Sequence, residues 1–194
     1  MHSGVLETMA VAFSDMSDTG GLALAHGLSV NCTLRSFSFG WRKSRGFGTP
    51  IFITDVSGKE FGKAFLLNHS LHNFRLVGKP RAKFHPYRDW RQGADLQTTL
   101  PIGDPTGAVI AEALRANIGL HFLDLSSLAI SDHAGVLLAE ALLYNTSLVK
   151  LRLAHTRMGN ATAIEFGKAL CVNRTLKTFT FYTETSMDVT ASNA

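Results

Sequence analysis

The stretch that decides the fold runs from Ile130-Ser-Asp-His-Ala-Gly-Val-Leu-Leu-Ala-Glu-Ala-Leu142 into Leu148-Val-Lys-Leu-Arg-Leu153. In the first part, small or apolar residues recur at i, i+3, i+4 and i+7, the spacing that lines one face of an α-helix: Gly135, Leu138, Ala139 and Leu142. In the second part, Leu151 and Leu153 alternate with polar residues, as in a strand buried on one side. The stretch therefore predicts one helix followed by one half-buried strand.

The same helix and strand pattern recurs along the chain, which is typical of a repeat protein. Ile102, Ile130 and Met158 hold equivalent positions 28 residues apart, and the template returns upstream at Met16 and Ile53. The longer upstream spacings locate two insertions, near residues 40–50 and 77–100. The template predicts a single domain over residues 1–194, with about six strands and five full helices.

Two polar positions recur with the repeat. The first position lies two residues after the apolar residue that begins each repeat template, and its side chain can accept backbone N–H groups at the start of a helix. It is occupied by Asp18, Asp55, Asp104, Asp132, Asn160 and Asp188. We interpret these residues as helix caps, not as catalytic carboxylates. The other comes just after each helix and matches the glycosylation sequon: Asn31, Asn68, Asn145 and Asn173. We interpret these as asparagines in the turn conformation that ends a helix.

The helix at residues 130–142 and the strand at residues 148–153 resemble the ribonuclease-inhibitor type of leucine-rich repeat. That family also includes sensor regions of NOD-like receptors and activators of the small GTPase Ran. The resemblance implies an α/β fold, a leucine-rich-repeat solenoid forming a horseshoe segment with a concave parallel sheet and convex helices, and a usual role in protein recognition. The family often places an asparagine after the strand, whereas this chain has Leu128, Thr156 and Glu184, which predicts an irregular turn region.

The strand side chains that alternate with the buried ones are predicted to face the concave surface. Six of them are candidate partner-binding residues, because aromatic residues and arginine are enriched at binding hot spots: Arg75, Phe122, Asp124, Lys150, Arg152 and Tyr182. Ser126 and Ala154 belong to the same outward row. The alternative is an ordinary solvated sheet face.

The two insertions combine basic and aromatic residues, and each carries a net charge of +3. Their candidate partner-binding residues are Trp41, Arg42, Lys43 and Arg45 in the first, and Arg81, Lys83, Tyr87, Arg88, Trp90 and Arg91 in the second. Such residues suit an acidic protein surface, or RNA through base stacking and phosphate neutralisation. A protein partner is preferred because the chain has no recognised RNA-binding motif. Alternatively, the aromatic residues fold the loops back onto the solenoid.

Composition and motifs restrict the class of function. The hydrophobic content of 45% excludes a largely disordered chain. The sequence has no metal-ligand spacing, no GxxxxGK[ST] phosphate loop and no GxSxG nucleophile elbow, so we expect no catalytic residue, metal, cofactor or small-molecule substrate. It has no export signal and no long apolar run, so we expect an intracellular, cytoplasmic protein without membrane contact. Cys32 and Cys171 are expected to be buried, reduced thiols.

Taken together, these patterns predict a non-enzymatic protein-binding or scaffold module that is a component of a larger assembly. Two other functions stay open at this point. The resemblance to Ran activators implies a regulator of GTPase turnover, and the basic aromatic insertions are compatible with an RNA-associated structural protein.

Overall fold

Helices and strands alternate in the computed structural model, which describes residues 5–11, 16–40, 53–78 and 102–183. The strands of this part of the chain are β1 (Thr8–Val11), β2 (Ser36–Gly40), β3 (Asn73–Val77), β4 (Phe122–Asp124), β5 (Lys150–Thr156) and β6 (Thr178–Thr183). The helices are α1 (Asp18–Val30), α2 (Asp55–Leu67), α3 (Asp104–Ala116), α4 (Asp132–Leu142) and α5 (Asn160–Val172). The predicted numbers of strands and helices are therefore found within the described residues.

The six strands form one parallel sheet in chain order, β1 to β6. Leu123 pairs with Leu151 and Leu151 with Phe179, so equivalent residues of successive repeats lie side by side. Each helix packs on the helices of the neighbouring repeats, which makes a helical layer beside the sheet. This arrangement is the α/β leucine-rich-repeat solenoid that the sequence predicts, and the two insertions, near residues 40–50 and 77–100, lie almost entirely outside the described residues.

One continuous hydrophobic core runs between the sheet and the helices. Apolar strand residues such as Phe37, Phe74 and Leu151 are almost fully buried, and they meet the apolar faces of the helices. In β2, α2 and β3, phenylalanine replaces leucine: Phe74 packs on Phe37 with ring centroids 5.7 Å apart and edge-on against Phe65 at 4.6 Å. The larger rings keep the upstream repeats filled while preserving the same strand register.

The helix-start carboxylates cap the next helix along the chain rather than their own, which corrects the interpretation drawn from the sequence. Asp132 is the first residue of α4, yet its Oδ1 accepts hydrogen bonds from Gly159 N at 2.6 Å and Thr162 N at 3.0 Å, at the start of α5. Asp18, Asp55 and Asp104 accept backbone N–H groups of the following repeat in the same way. The carboxylates therefore form a ladder that ties successive helices together, and sequence spacing alone does not reveal which helix a carboxylate reaches.

A second ladder is made by the asparagines after the helices. Asn145 Nδ2 donates to Leu114 O at 2.7 Å and Asn117 O at 3.1 Å, while its Oδ1 accepts from Leu148 N at 2.7 Å. Asn68, Asn117 and Asn173 repeat the pattern. The turn conformation expected for these asparagines is not found, because Asn68, Asn117 and Asn173 are extended, and Ser127 and His155 are the only non-glycine residues with positive φ in the part of the chain described. The side-chain amide, and not the backbone conformation, explains asparagine at this position.

Glycine lets the helices approach each other closely. The fourth residue of α2 is Gly58, and a Cβ added there would collide with Thr106 Oγ1 of α3. Gly21, Gly107 and Gly135 face the next helix in the same way. A larger residue at these positions would push two helices apart, so the pattern of small residues sets the helix spacing.

Two expectations about burial are wrong. Cys32 and Cys171 are exposed free thiols, because each lies at or just beyond the end of a helix, outside the core. The apolar face of α5 is also only partly buried. Phe166 is buried, whereas Ala163, Gly167 and Leu170 are exposed because no described helix packs beyond α5.

Candidate binding surface

The candidate surface lies in the middle of the sheet, on the side away from the helices. It is formed by outward side chains of β3, β4 and β5: Arg75, Phe122, Asp124, Lys150 and Arg152, which we call the sheet face. The register places Arg75 beside Asp124 and Asp124 beside Arg152 on neighbouring strands. The parallel repeat therefore brings together three charged residues that are far apart in the sequence.

Asp124 is the buried centre of this surface. Its side chain is only 2% exposed, whereas Arg75 and Arg152 are 45% and 38% exposed. The sequence pattern predicted an exposed Asp124, and this prediction is wrong. The carboxylate lies between the two arginines of the neighbouring strands and contacts Ser126, two residues further along the chain. Asp124 therefore positions its neighbours and presents little surface of its own to a partner.

The two oxygens of Asp124 have different surroundings. Oδ1 accepts hydrogen bonds from Ser126 N at 3.1 Å and from Ser126 Oγ at 2.6 Å. Oδ2 faces the arginines, 3.4 Å from Arg75 Nε and 3.8 Å from Arg152 Nη1. These two contacts are longer than good N–H···O hydrogen bonds, so each guanidinium is attracted by the charge but keeps donors for another acceptor.

Aromatic residues flank the charged centre. Lys150 Nζ lies 5.2 Å from the ring centroid of Phe122, within the range of a cation–π contact. Tyr182 of β6 is 47% exposed and packs edge-on against His155, with ring centroids 4.8 Å apart. Tyr182 is therefore held on one side and open on the other, while Phe122 is partly covered by Lys150.

The sheet face carries a local positive charge. Arg75, Lys150 and Arg152 are three cations against the single carboxylate of Asp124, and the outward residues of β2 and β6 are uncharged. Because Asp124 is buried, the charge that a partner meets is dominated by the cations. The arrangement is suited to carboxylates or other anions on an extended surface.

Two other residues that the alternating pattern places on the outward side of the sheet are buried. Ser126 is 8% exposed and Ala154 is 2% exposed, although both were expected on the open face. Ser126 turns towards Asp124, and a register shift between Ala154 and Thr156 disturbs β5, with His155 at φ 57°. The backbone is therefore irregular at the ends of the strands, where this chain lacks the asparagine that the family often has.

The ten candidate residues of the insertions lie outside the described residues: Trp41, Arg42, Lys43, Arg45, Arg81, Lys83, Tyr87, Arg88, Trp90 and Arg91. Their role as partner-binding residues stays a prediction.

Sequence reasoning missed Ser126 as the residue that holds Asp124, and it missed a stacked histidine pair. His72 and His121 precede β3 and β4, with ring centroids 5.0 Å apart, and each Nδ1 lies next to a backbone carbonyl of its own turn. The signal for the pair is present in the repeat, because both histidines hold the same template position. Neither residue belongs to the sheet face.

The described residues contain no group of three or more histidine, cysteine, aspartate or glutamate side chains placed to hold a metal ion. No helix among them combines the length and apolar character needed to cross a membrane.

Comparison with known proteins supports the fold. No family model and no curated protein sequence matches the chain. A solved structure described as leiomodin-1 actin-binding site 2 (ABS2) is similar, with a TM-score of 0.51 and 24% sequence identity. The match covers 69% of this chain and 66% of that chain, so this chain spans slightly less than two thirds of the solved structure. At this identity the likeness is one of fold alone.

Proposed function

We propose that the chain is a non-enzymatic protein-binding module whose sheet face holds an acidic segment of a partner protein. The observation that carries the proposal is the buried carboxylate of Asp124 between two half-exposed arginines. A buried charge is stable only when it is paired, so Asp124 attracts both guanidinium groups towards one place before a partner arrives. Preorganised arginines lose little conformational freedom on binding, which favours affinity for carboxylates.

The surroundings of the arginines favour a protein over a small ligand. Phe122 and Tyr182 lie on either side of the charged centre, and the row of outward side chains extends over several strands. Aromatic side chains beside arginine are the usual composition of a protein interface. A binding role is also the one named for the leiomodin-1 structure that shares the fold.

We further propose that the basic insertions extend this positive surface. Both insertions follow a strand and precede the next helix, so a regular solenoid projects them from the same edge. Replacing Arg81, Lys83, Arg88 and Arg91 with glutamate is then expected to weaken capture of the partner, and unchanged capture would remove the insertions from the interface.

The sheet-face proposal is tested by quantitative affinity capture from cell extract. The double variant Arg75→Glu, Arg152→Glu is expected to lose at least about tenfold of the captured partner, since each reversed charge turns an attraction into a repulsion. The matched control is Lys63→Glu, Lys168→Glu, which makes the same change in net charge on the helices, where both lysines are exposed. Equal losses in the two variants would mean that only net charge matters, and the proposal would be wrong.

A further inference from the structure

The helix at the end of the described stack leaves one face uncovered. Ala163, Gly167 and Leu170 of α5 are exposed, although the equivalent residues of α3 and α4 are buried. A Cβ added at Gly167 would meet no described atom within 4 Å. Phe179 and Phe181 of β6 are only partly buried at the same end. We call this end, formed by α5 and β6, the tail face.

The opposite end of the stack is also open. Leu6 is 60% exposed, whereas its equivalent in the next repeat, Leu34, is 4% exposed. Gly27 of α1 has no described atom within 4 Å of an added Cβ, while its equivalents Ala64 and Ala113 are buried. We call this end, formed by α1 and β1, the head face.

We propose that the head face of one copy of the chain docks on the tail face of a second copy, as one more repeat would. The two end helices have complementary shapes. Inside the stack, the fourth residue of each helix from α1 to α4 is glycine, and the third residue of the next helix carries a side chain, as in Gly58 against Thr106. At the two ends this distribution is reversed: the fourth residue of α5 is Ala163, and the third residue of α1 is Gly20. The methyl group of Ala163 therefore faces the one α1 position that has no side chain of its own, where the neighbouring group is the flexible Met16 side chain, 2.7 Å from an added Cβ.

The asparagine ladder is also incomplete at both ends of the described stack. Asn173 Nδ2 donates to Leu142 O at 2.7 Å and Asn145 O at 3.0 Å of the preceding repeat. No helix precedes α1 among the described residues, and the acceptor found there for Asn31 Nδ2 is Thr33 Oγ1, at 3.4 Å. In the docked pair, Asn31 Nδ2 reaches Leu170 O and Asn173 O of the second copy. Each end thus supplies the hydrogen-bond groups that the other end lacks.

The two ends also carry opposite charges at equivalent positions. Backbone hydrogen bonds link the residues just before the strands in one row: Glu7, Arg35, His72, His121, Val149 and Lys177. Continuing the sheet from β6 to β1 of the second copy places Lys177 next to Glu7. Both residues are exposed, and their charges are opposite. The electrostatics therefore favour the same register as the helix packing and the asparagine hydrogen bonds.

Such a contact joins two different surfaces, so every added copy leaves a free head and a free tail. Association of this heterologous kind produces a ring or a growing series of oligomers, not a closed symmetric dimer. It involves neither Arg75 nor Arg152, so it is independent of the proposed function.

Sedimentation velocity of the full chain over a wide concentration range tests the proposal. The unchanged chain is expected to gain mass beyond the dimer as concentration rises. Gly27→Arg blocks the head and Gly167→Arg blocks the tail, and both are expected to stay monomeric and folded because each site has open space in the single chain. In a mixture of the two variants, Gly27→Arg still has a free tail face and Gly167→Arg still has a free head face. The mixture is therefore expected to form a one-to-one heterodimer and nothing larger. The control is Ala116→Arg, at an exposed position of α3, which is expected to behave like the unchanged chain.

Charge reversal provides the second measurement. Glu7→Lys or Lys177→Glu alone is expected to weaken association about tenfold, and the double variant is expected to recover it. A chain that stays monomeric at every concentration would overturn the proposal. So would blocked variants that associate like the unchanged chain, or a mixture of them that stays monomeric.

Discussion

Asp124 has two roles that substitutions can separate, the hydrogen bonds to Ser126 and the attraction of the two arginines. Asp124→Asn keeps an oxygen for Ser126 but removes the charge, and we expect it to cost about 1 kcal/mol of unfolding free energy, because both arginines are partly solvated. Asp124→Ala also removes the acceptor of two buried donors, and we expect a loss of about 3 kcal/mol. Urea unfolding measures both values.

Two outcomes would contradict this view of Asp124. Equal destabilisation by asparagine and alanine would mean that the Ser126 hydrogen bonds contribute nothing. Asp124→Asn with partner capture unchanged would mean that the carboxylate does not position the arginines.

The asparagine ladder offers a second comparison of single residues. Asn117 is 3% exposed, and its side chain bonds to Phe65 O at 2.7 Å and accepts from Leu120 N at 2.7 Å. Asn117→Ala is expected to cost about 3 kcal/mol, because buried groups of two repeats lose their partners. Asn31→Ala is expected to cost only about 1 kcal/mol, since Asn31 bonds mainly within its own turn. Urea unfolding at a concentration where the chain is monomeric measures the difference, and equal losses would show that the ladder between repeats does not stabilise the fold.

Residue types at these positions were readable from the sequence, but their partners were not. The template located the recurring aspartates and asparagines, yet Asp132 bonds to Gly159 and Thr162 of the next repeat. A one-dimensional pattern shows that a polar residue recurs without showing which neighbour it reaches. The burial of Asp124 was missed for the same reason, because its cover comes from two other strands.

At the level of helices, Asp18 and Asp132 make the joints between α1 and α2 and between α4 and α5 sensitive to acid. Burial by itself raises the pKa of the Asp132 carboxyl, but hydrogen bonds from Thr162, Gly159 and Ala161 outweigh burial and hold this pKa below its ordinary value of 3.8. The pKa of Asp18 is lowered against the same effect of burial, by hydrogen bonds from Ser57 and Thr54. A carboxyl with a lowered pKa in the folded state stabilises that state above its ordinary pKa and loses the effect as pH falls through the lowered value.

We therefore expect the unfolding free energy to fall as the pH drops below about 4. Asp132→Asn is expected to reduce this pH dependence while lowering stability at neutral pH. Glu165→Gln, on the outer side of α5 in a surface pair with Lys168, is the control and is expected to change the pH dependence less. Thermal unfolding over a pH series measures both, and an Asp132→Asn variant with the full acid dependence would contradict the assignment.

The elements themselves were the most predictable part of the molecule. Helix and strand positions follow from a template that recurs five times, so local errors average out over the repeats. The exceptions occur at the last described helix: Ala163, Gly167 and Leu170 fit the template but are exposed. A pattern of apolar residues predicts which face is suited to burial, and only a neighbouring element decides whether that face is covered.

For the whole molecule, the fold was predictable and the partner was not. Neighbouring repeats share one core, so the sequence pattern that specifies one unit also specifies the sheet order and register. We propose that residues 1–194 act as one domain, with coincident unfolding measured by circular dichroism and by tryptophan fluorescence. The outer surface is not constrained by the core, and its chemistry therefore had to be read from the positions of individual side chains.

The measurement that tests the central claim most directly is carbodiimide cross-linking of the chain to its captured partner, followed by peptide mass spectrometry. This reagent joins lysine to a contacting carboxylate, and Lys150 is the lysine of the sheet face, whereas Lys63 and Lys168 are on the helices. We expect cross-links between Lys150 and acidic residues of the partner. Cross-links confined to Lys63 and Lys168 would contradict this expectation.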